Sequence, residues 1–494
     1  MNNPPFPWHL LEGCNKFVLS MTAPLHETLV AALSGAPPLR RLDLHALLHR
    51  LCAVRIVNLR NCLREPAWAE PLAKFERQAT LILEKGDWRD QLAQKILRWI
   101  GGDDPDRLLV FCAATLRALD ARHQERRLDV AGSTVSLSAA LGGGETLFLP
   151  PPATPLSDLI PQPQRLRRGP GDLKSDPREI LGLWWHLVAL EDLPVQPRLQ
   201  ELDARVSHEL AGRLKTLDLR FALASPFAEL LYGIRSDPAR FGADGTPYRF
   251  SELRPESLEE AQRNLLEILE RCSELKVDVL CFPELTLDTD LQNRLVLLLK
   301  TQDLPHRPVL VMAGSFHVDS NGQWVNRCRI FSGQGRLLFS QDKCVPYRIP
   351  ASQAGESPEL CALLGIDHRG GSEDIHLSGF LEIVDGPLGR LATPICLDYC
   401  GDQLRDLFIA TAVNLLLVPA MTSRMEPFQK RAQDLGTQSG AASFVTNSAW
   451  LLGKKRSDRN LALAYLPAHP VPVLTRDSAD PLWVFSIREL LGLT

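Results

Sequence analysis

A carboxylate, an ammonium group and a thiol stand at comparable places in this 494-residue chain, each just after an apolar run. Glu284 follows Val279-Leu-Cys-Phe-Pro283, and Lys343 follows Leu338-Phe-Ser-Gln-Asp342. Cys396 follows Leu391-Ala-Thr-Pro-Ile395 and precedes a predicted helix. In sheets flanked by helices, the crevice outside the carboxyl ends of the strands is where ligands bind. A thiol set between strand and helix also has backbone N–H groups directed at it, and these favour both a thiolate and an oxyanion. Thiol chemistry at a strand-end cleft is therefore the first functional expectation.

The elements needed to position these groups can be read from periodicity. From about residue 217, strand and helix patterns alternate. Leu219–Ser225 reads as a strand, and Ser257–Leu275 as an amphipathic helix with Ala261, Leu265, Ile268 and Leu269 on one side. Val277–Phe282 and Val309–Phe316 read as buried strands, with a helix over Leu291–Lys300. Arg327–Ser332 and Leu337–Gln341 form a predicted hairpin around Gly333-Gln-Gly335. Phe380–Val384 and Leu391–Ile395 flank the turn Asp385–Gly389; Leu404–Thr411 and Phe428–Gly440 are predicted helices, and Leu415–Val418 and Ala442–Asn447 predicted strands. Alternation with added hairpins points to a layered α/β sandwich.

At this point the chain resembles a known family. Val277-Asp-Val-Leu-Cys-Phe-Pro-Glu-Leu-Thr286 looks like the first catalytic motif of the nitrilase superfamily. Arg336–Tyr347 resembles its lysine motif, and Phe380–Asp398, with a Gly-x-x-Gly turn before Ile-Cys-Leu-Asp, resembles its nucleophile motif. Ala313-Gly-Ser-Phe316, Asn326, Leu415–Ala420, Arg431-Ala432 and Asn447-Ser448 follow in the family's order, over residues 217–450. The resemblance implies an α-β-β-α sandwich and hydrolysis of a linear amide, carbamoyl or nitrile C–N bond. It assigns Cys396 as nucleophile, Glu284 as general base and acid, and Lys343 as stabiliser of the tetrahedral oxygen. Glu356, in Gly355-Glu-Ser357, is the best match to the second glutamate of many members. A homodimer is implied too, and a transferase variant is the near neighbour. No appended Gly-rich phosphate loop points to a glutamine-fed ligase.

Each residue also has a plainer reading. Alone, Glu284 would be a strand-end carboxylate, Lys343 a solvated lysine and Cys396 a core cysteine like Cys281, Cys328 and Cys344. Their order and context favour the catalytic reading. Asp398 reads as a positioning or capping residue, and the Cys396/Cys400 pair as two cysteines on one helical face. His317 and His376 show no grouping with other histidines or with a cysteine, so neither a metal nor a cofactor is expected. The chain departs from the family in an insertion over Pro226–Glu256 and in Leu397-Asp-Tyr-Cys-Gly-Asp402, which replaces the Arg-Phe-Pro common after the cysteine. The part after Asn447 also matches poorly.

The other half is different. Leu29, Ala32 and Leu33, then Leu44, Leu47, Leu48 and Leu51, recur at helical spacing, as do residues in Phe75–Gly101 and Asp106–Arg127. The reading is a mostly α-helical domain over 1–149, a Pro/Arg-rich linker over 150–172, a helical connector over 173–216 and the hydrolase-like domain over 217–494. Within the connector, one helix carries Trp184 and Trp185, expected in core or interface, and a second spans Arg198–Lys215. Hydrophobic residues at 45% and charged residues at 23% fit a globular protein, and a net charge of −4 gives no global bias toward nucleic acid or anionic membrane. The 11 cysteines contain no C-x-x-C pair, which argues against a disulfide framework and a zinc ribbon. The opening residues lack a secretory pattern and no run is long enough for a membrane span, so a cytoplasmic protein is expected. The competing reading is a non-catalytic scaffold or sensor whose helical domain recruits a protein or nucleic-acid partner.

Overall fold

A computed structural model describes residues 29, 32–33, 40–100, 105–124, 134–136, 145–149, 181, 185–190, 193–227, 231–240, 242, 245–253, 258–356, 361–362, 364–366, 368–422, 424–448, 460–467, 473–476 and 481–491. The chain forms two compact units that divide at Pro194. The linker expected over 150–172 lies outside the described residues.

In the first unit, helices run over Arg41–Val54, Ile56–Arg64, Ala69–Leu83, Trp88–Ile100 and Pro105–Gln124. They follow from the apolar stripe: Leu44, Leu47, Leu48 and Leu51 are all buried, in one cluster with Phe75, Leu92 and the Leu108–Leu119 face. Beside them lies an antiparallel sheet not expected from the sequence, β1 (Thr134–Ser136), β2 (Glu145–Leu149) and β3 (His186–Ala189). Trp185 is therefore not mid-helix. It is buried in a bend just before β3, while Trp184 lies outside the described residues.

The second unit opens with β4 (Gln196–Glu201), followed by a helix over Ala204–Thr216. The sequence expectation of one helix over Arg198–Lys215 is corrected here. Asp203 caps the helix by accepting from the N–H groups of Arg205 and Val206, which stops it extending backward. β4 instead pairs in parallel with β14 (Phe380–Gly386) as an outer strand, a place that tolerates Pro197.

Two sheets face each other. One has the order β11-β10-β9-β8-β5-β20, formed by β5 (Arg220–Ala224), β8 (Val279–Cys281), β9 (Leu310–Ser320), β10 (Gln323–Ser332), β11 (Leu337–Asp342) and β20 (Leu482–Ser486). The other has the order β19-β18-β17-β16-β15-β14-β4, formed with β15 (Gly389–Ala392), β16 (Leu415–Ala420), β17 (Ala442–Asn447), β18 (Asn460–Tyr465) and β19 (Val473–Arg476). The Phe221 ring of β5 stacks on Phe444 of β17 with centroids 3.9 Å apart, joining the layers. Helices Leu258–Glu274 and Thr289–Thr301 share a core with β5, β8 and β9 through Leu265, Leu291 and Leu295. Helices Asp402–Ala410 and Glu426–Ser439 belong to the other side, where Gly436 lets the second approach Tyr465 of β18. This is the α-β-β-α sandwich that the sequence implied.

The segment Pro226–Glu256, expected as an insertion, contributes two strands. β6 (Tyr232–Ser236) and β7 (Thr246–Leu253) join β12 (Arg348–Pro350) and β13 (Gly370–Glu373) in a small sheet ordered β12-β13-β7-β6. Among the described residues, no helix is long and apolar enough to cross a membrane.

Candidate active site

The site gathers at strand ends. β8 leads to Glu284, β11 to Lys343, and β15, after a short non-strand stretch, to Cys396. One strand of the facing sheet ties two of these together. The N–H of Cys396 donates to the carbonyl of Pro419 at 2.9 Å, and the N–H of Glu284 donates to the next carbonyl, Ala420, at 3.3 Å. Ser448 adds a bond from its hydroxyl to the Glu284 carbonyl at 2.9 Å. The expected supporting pieces Leu415–Ala420 and Asn447-Ser448 thus act on the backbone.

Lys343 is the hub. Its Nζ donates to Glu284 Oε1 at 2.7 Å and to Glu373 Oε2 at 2.7 Å, with all three groups buried. Asn326 Nδ2, on β10, donates to Glu284 Oε1 at 3.0 Å and to Glu373 Oε1 at 3.3 Å. The backbone N–H of Tyr347 and the ring of His317 complete the hold on Glu373, at 2.6 and 3.2 Å. Burial alone would disfavour the Lys343 ammonium, but Glu284, Glu373 and Cys396 hold its pKa well above the usual value. For Glu373, burial works against ionisation, yet the Lys343 charge and the His317 hydrogen bond hold the carboxyl down at about 2.

Sequence reading names Glu356 as the second glutamate and does not single out Glu373, which the structure places on Lys343. Glu356 ends the short helix Ala351–Glu356, and its side chain lies outside the described residues. Glu373 ends β13, a strand with the sequence Gly-Gly-Ser-Glu that carries no apolar pattern. Its position is set by parallel pairing with β7, Glu373 opposite Tyr248.

Cys396 is buried and adopts φ 50°, ψ −101°, immediately before the short helix Leu397–Cys400. A non-glycine residue at positive φ is strained and persists only where its surroundings hold it. Burial first, then the Glu284 charge, push the thiol well above its usual pKa, while Lys343 and a backbone hydrogen bond from Met421 act the other way. The resting group is thus a thiol that needs a base, and a carboxylate lies within electrostatic reach. Asp398 performs the positioning role expected of it: it accepts from the N–H groups of Cys344, Val345 and Ile395. Cys281, Cys328 and Cys344 are buried, with pKa values raised chiefly by burial. Among the described residues no group of histidine, cysteine and acidic side chains is arranged to hold a metal ion.

No protein-family model and no curated protein matches this sequence. Solved structures of the nitrilase superfamily are similar to it. An amidase from Nesterenkonia sp. aligns over 54% of this chain and 89% of its own, at 14% identity and a TM-score of 0.35. Saccharomyces cerevisiae Nit3, a member of branch 10 of that superfamily, aligns over 56% of this chain and 92% of its own, at 12% identity and a TM-score of 0.36. A glutamine-dependent NAD+ synthetase from Acinetobacter baumannii aligns over 54% of this chain, which spans 45% of that enzyme, at 13% identity and a TM-score of 0.36.

Proposed function

We propose that the second unit hydrolyses a non-peptide C–N bond, in a linear amide, carbamoyl group or nitrile, through a thioester on Cys396. The observation that carries this reading is one buried ammonium held at 2.7 Å by two buried carboxylates, within electrostatic reach of a thiol on a strained turn. Burying three charges costs several kcal/mol per ion before their mutual attraction offsets it, and apolar residues would serve a scaffold as well.

The steps for an amide follow from the positions. Cys396 Sγ forms a bond to the carbonyl carbon as Glu284 takes the thiol proton. The electron pair of the C=O bond moves to oxygen, whose charge meets Lys343 Nζ and the N–H of Leu397. Collapse breaks the C–N bond as Glu284 returns its proton to nitrogen, and the amine departs. Water then attacks the thioester with its proton passing to Glu284. Breaking the C–S bond releases the acid as Glu284 passes its proton to sulfur, which restores the thiol and the carboxylate. Glu373 holds Lys343 in place throughout and neutralises part of its charge.

Mass spectrometry of wild type and Cys396→Ala after exposure to small amides, nitriles and cell metabolites tests this. An adduct on Cys396 that is missing from the variant supports the proposal, and its mass begins to define the substrate. If there is no adduct, and Cys396 is alkylated no faster than the other cysteines, the non-catalytic reading takes its place.

A further inference from the structure

His317 lies on β9 directly opposite Asn326 of β10, so both side chains reach the same face. It is buried, and both ring nitrogens are engaged. The backbone N–H of Phe250, on β7 of the inserted sheet, donates to His317 Nδ1 at 2.9 Å. A nitrogen that accepts an N–H carries no proton of its own, so the proton sits on Nε2. Nε2 in turn lies 3.2 Å from Glu373 Oε1 and donates to it. Asn326 Nδ2 donates to the same oxygen, at 3.3 Å. The inserted sheet therefore meets Glu373 twice, through β7–β13 pairing of the main chain and through the imidazole that β7 orients.

We propose that His317 is a positioning residue for Glu373, and that the inserted strands belong to the catalytic apparatus through it. This rests on the hydrolase reading of the Glu284–Lys343–Cys396 site. His317 fixes one oxygen of Glu373 so that the other is presented to Lys343 Nζ. Lys343 then stands where Cys396 and the reacting oxygen need it. A carboxylate free to turn would let the ammonium relax toward Glu284 alone, and a neutralised Glu284 is a poorer base.

Two substitutions in the full-length chain separate the two ring nitrogens. His317→Asn keeps an acceptor near the Nδ1 position and loses the donor to Glu373. His317→Gln keeps a donor near the Nε2 position and loses the acceptor for Phe250. The readout is the rate of Cys396 alkylation by iodoacetamide, followed by peptide mass spectrometry, with melting temperatures measured alongside. Loss of a hydrogen bond to a charged group should slow the Asn variant by about tenfold or more, with Gln staying within about threefold of wild type. An Asn variant that reacts like wild type overturns the proposal, as do two variants slowed equally or in order of their melting temperatures. If wild-type Cys396 reacts no faster than the other cysteines, the hydrolase reading falls and takes this inference with it. A selective wild type with an unaffected Asn variant removes this inference alone. Should the Asn variant fail to fold, the tautomer decides in the wild-type protein. In 15N-histidine NMR, with the His317 signal assigned by its loss in the Gln variant, the proposal requires a protonated Nε2 and a bare Nδ1; the opposite pattern overturns it.

Discussion

The carboxylate of Asp398 accepts the backbone N–H of Val345 at 2.7 Å, and so clasps the turn of the cysteine to the loop of the lysine. It also accepts from Cys344 and, within its own turn, from Ile395. Removing it with Asp398→Ala leaves three N–H groups, two of them buried, without that acceptor, at a cost of roughly 3 kcal/mol. Burial pushes this carboxyl up to about 7, against the pull of Lys343 and the three N–H groups. The folded state therefore holds an extra proton between the unfolded value near 3.8 and about 7, so the group's contribution falls as pH rises through that window. Melting curves at pH 5 and pH 8 should show wild type losing ground to Asp398→Asn as pH rises. A constant difference would mean that Asp398 does not titrate there.

Glu373 gives the opposite sign. Its folded value of about 2 lies below the ordinary 4.5, so its stabilising contribution is complete above 4.5 and is lost as pH falls toward 2. A Glu373→Gln variant should be less stable than wild type at pH 6, with the gap closing as the solution is acidified. Lys343→Ala should cost more, about 3–5 kcal/mol, because it strands two buried carboxylates. Calorimetry across pH 2.5–7 reads both; parallel curves for wild type and Glu373→Gln would count against the charge pairing.

What the sequence made legible follows physical pattern. Glu284, Lys343 and Cys396 each close an apolar run, so the strand that delivers them announces the residue. Glu373 closes Gly370-Gly-Ser, a strand with no apolar signal of its own, and only pairing with β7 fixes it. The segment after Pro194 misled for a related reason. Leu199, Leu202, Val206 and Leu210 repeat at helical spacing, yet Leu199 belongs to an outer strand and Asp203 begins the helix. In the first unit, helix periodicity gave the bundle, whereas β1, β2 and β3 are short, and β3 pairs with β2 from far along the chain.

The Cys396 thiol is hard to ionise. Burial and Glu284 push Cys396 up, so alkylation should require proton removal by Glu284. Glu284→Gln is expected to slow alkylation of Cys396 by iodoacetamide about 10²-fold or more, the usual scale of general-base assistance. Labelling of Cys400, whose thiol burial pushes up to about 12 against the pull of Arg431, serves as the internal control. Equal rates in wild type and variant would remove Glu284 from the base role.

Gly314 makes the approach of Glu284 possible. Its φ is 69°, and a Cβ added there would stand 2.1 Å from the Pro283 carbonyl oxygen and 3.1 Å from that of Phe282. Both contacts are to backbone, so no side-chain rotation relieves them. Gly314→Ala must displace the segment that carries Glu284, costing about 2 kcal/mol or more in strain. Chemical denaturation and the alkylation rate should fall together. Full stability with slow alkylation would place the displacement at Glu284 alone, while no change in either would show that the close approach is dispensable.

The first unit carries a pH dependence of its own. His45 and His123 meet through their Nδ1 atoms at 2.9 Å, stacked with centroids 5.1 Å apart, so one nitrogen donates and the other accepts. Phe148 meets His45 edge-on, and Asp120 in the same cluster accepts the N–H of Trp185 at 3.0 Å. Burial, then the charges of His123 and His49, hold His45 well below its ordinary value. In the unfolded chain this histidine takes up a proton near pH 6.5; in the folded chain it does not. Acidification below that value therefore favours unfolding of this unit. Hydrogen exchange in peptides from 41–124 should accelerate at pH 5.5 relative to pH 7.5, after correction for intrinsic rates. A His45→Leu variant should lose most of that acceleration. If it accelerates as much as wild type, the pH response resides elsewhere in the bundle.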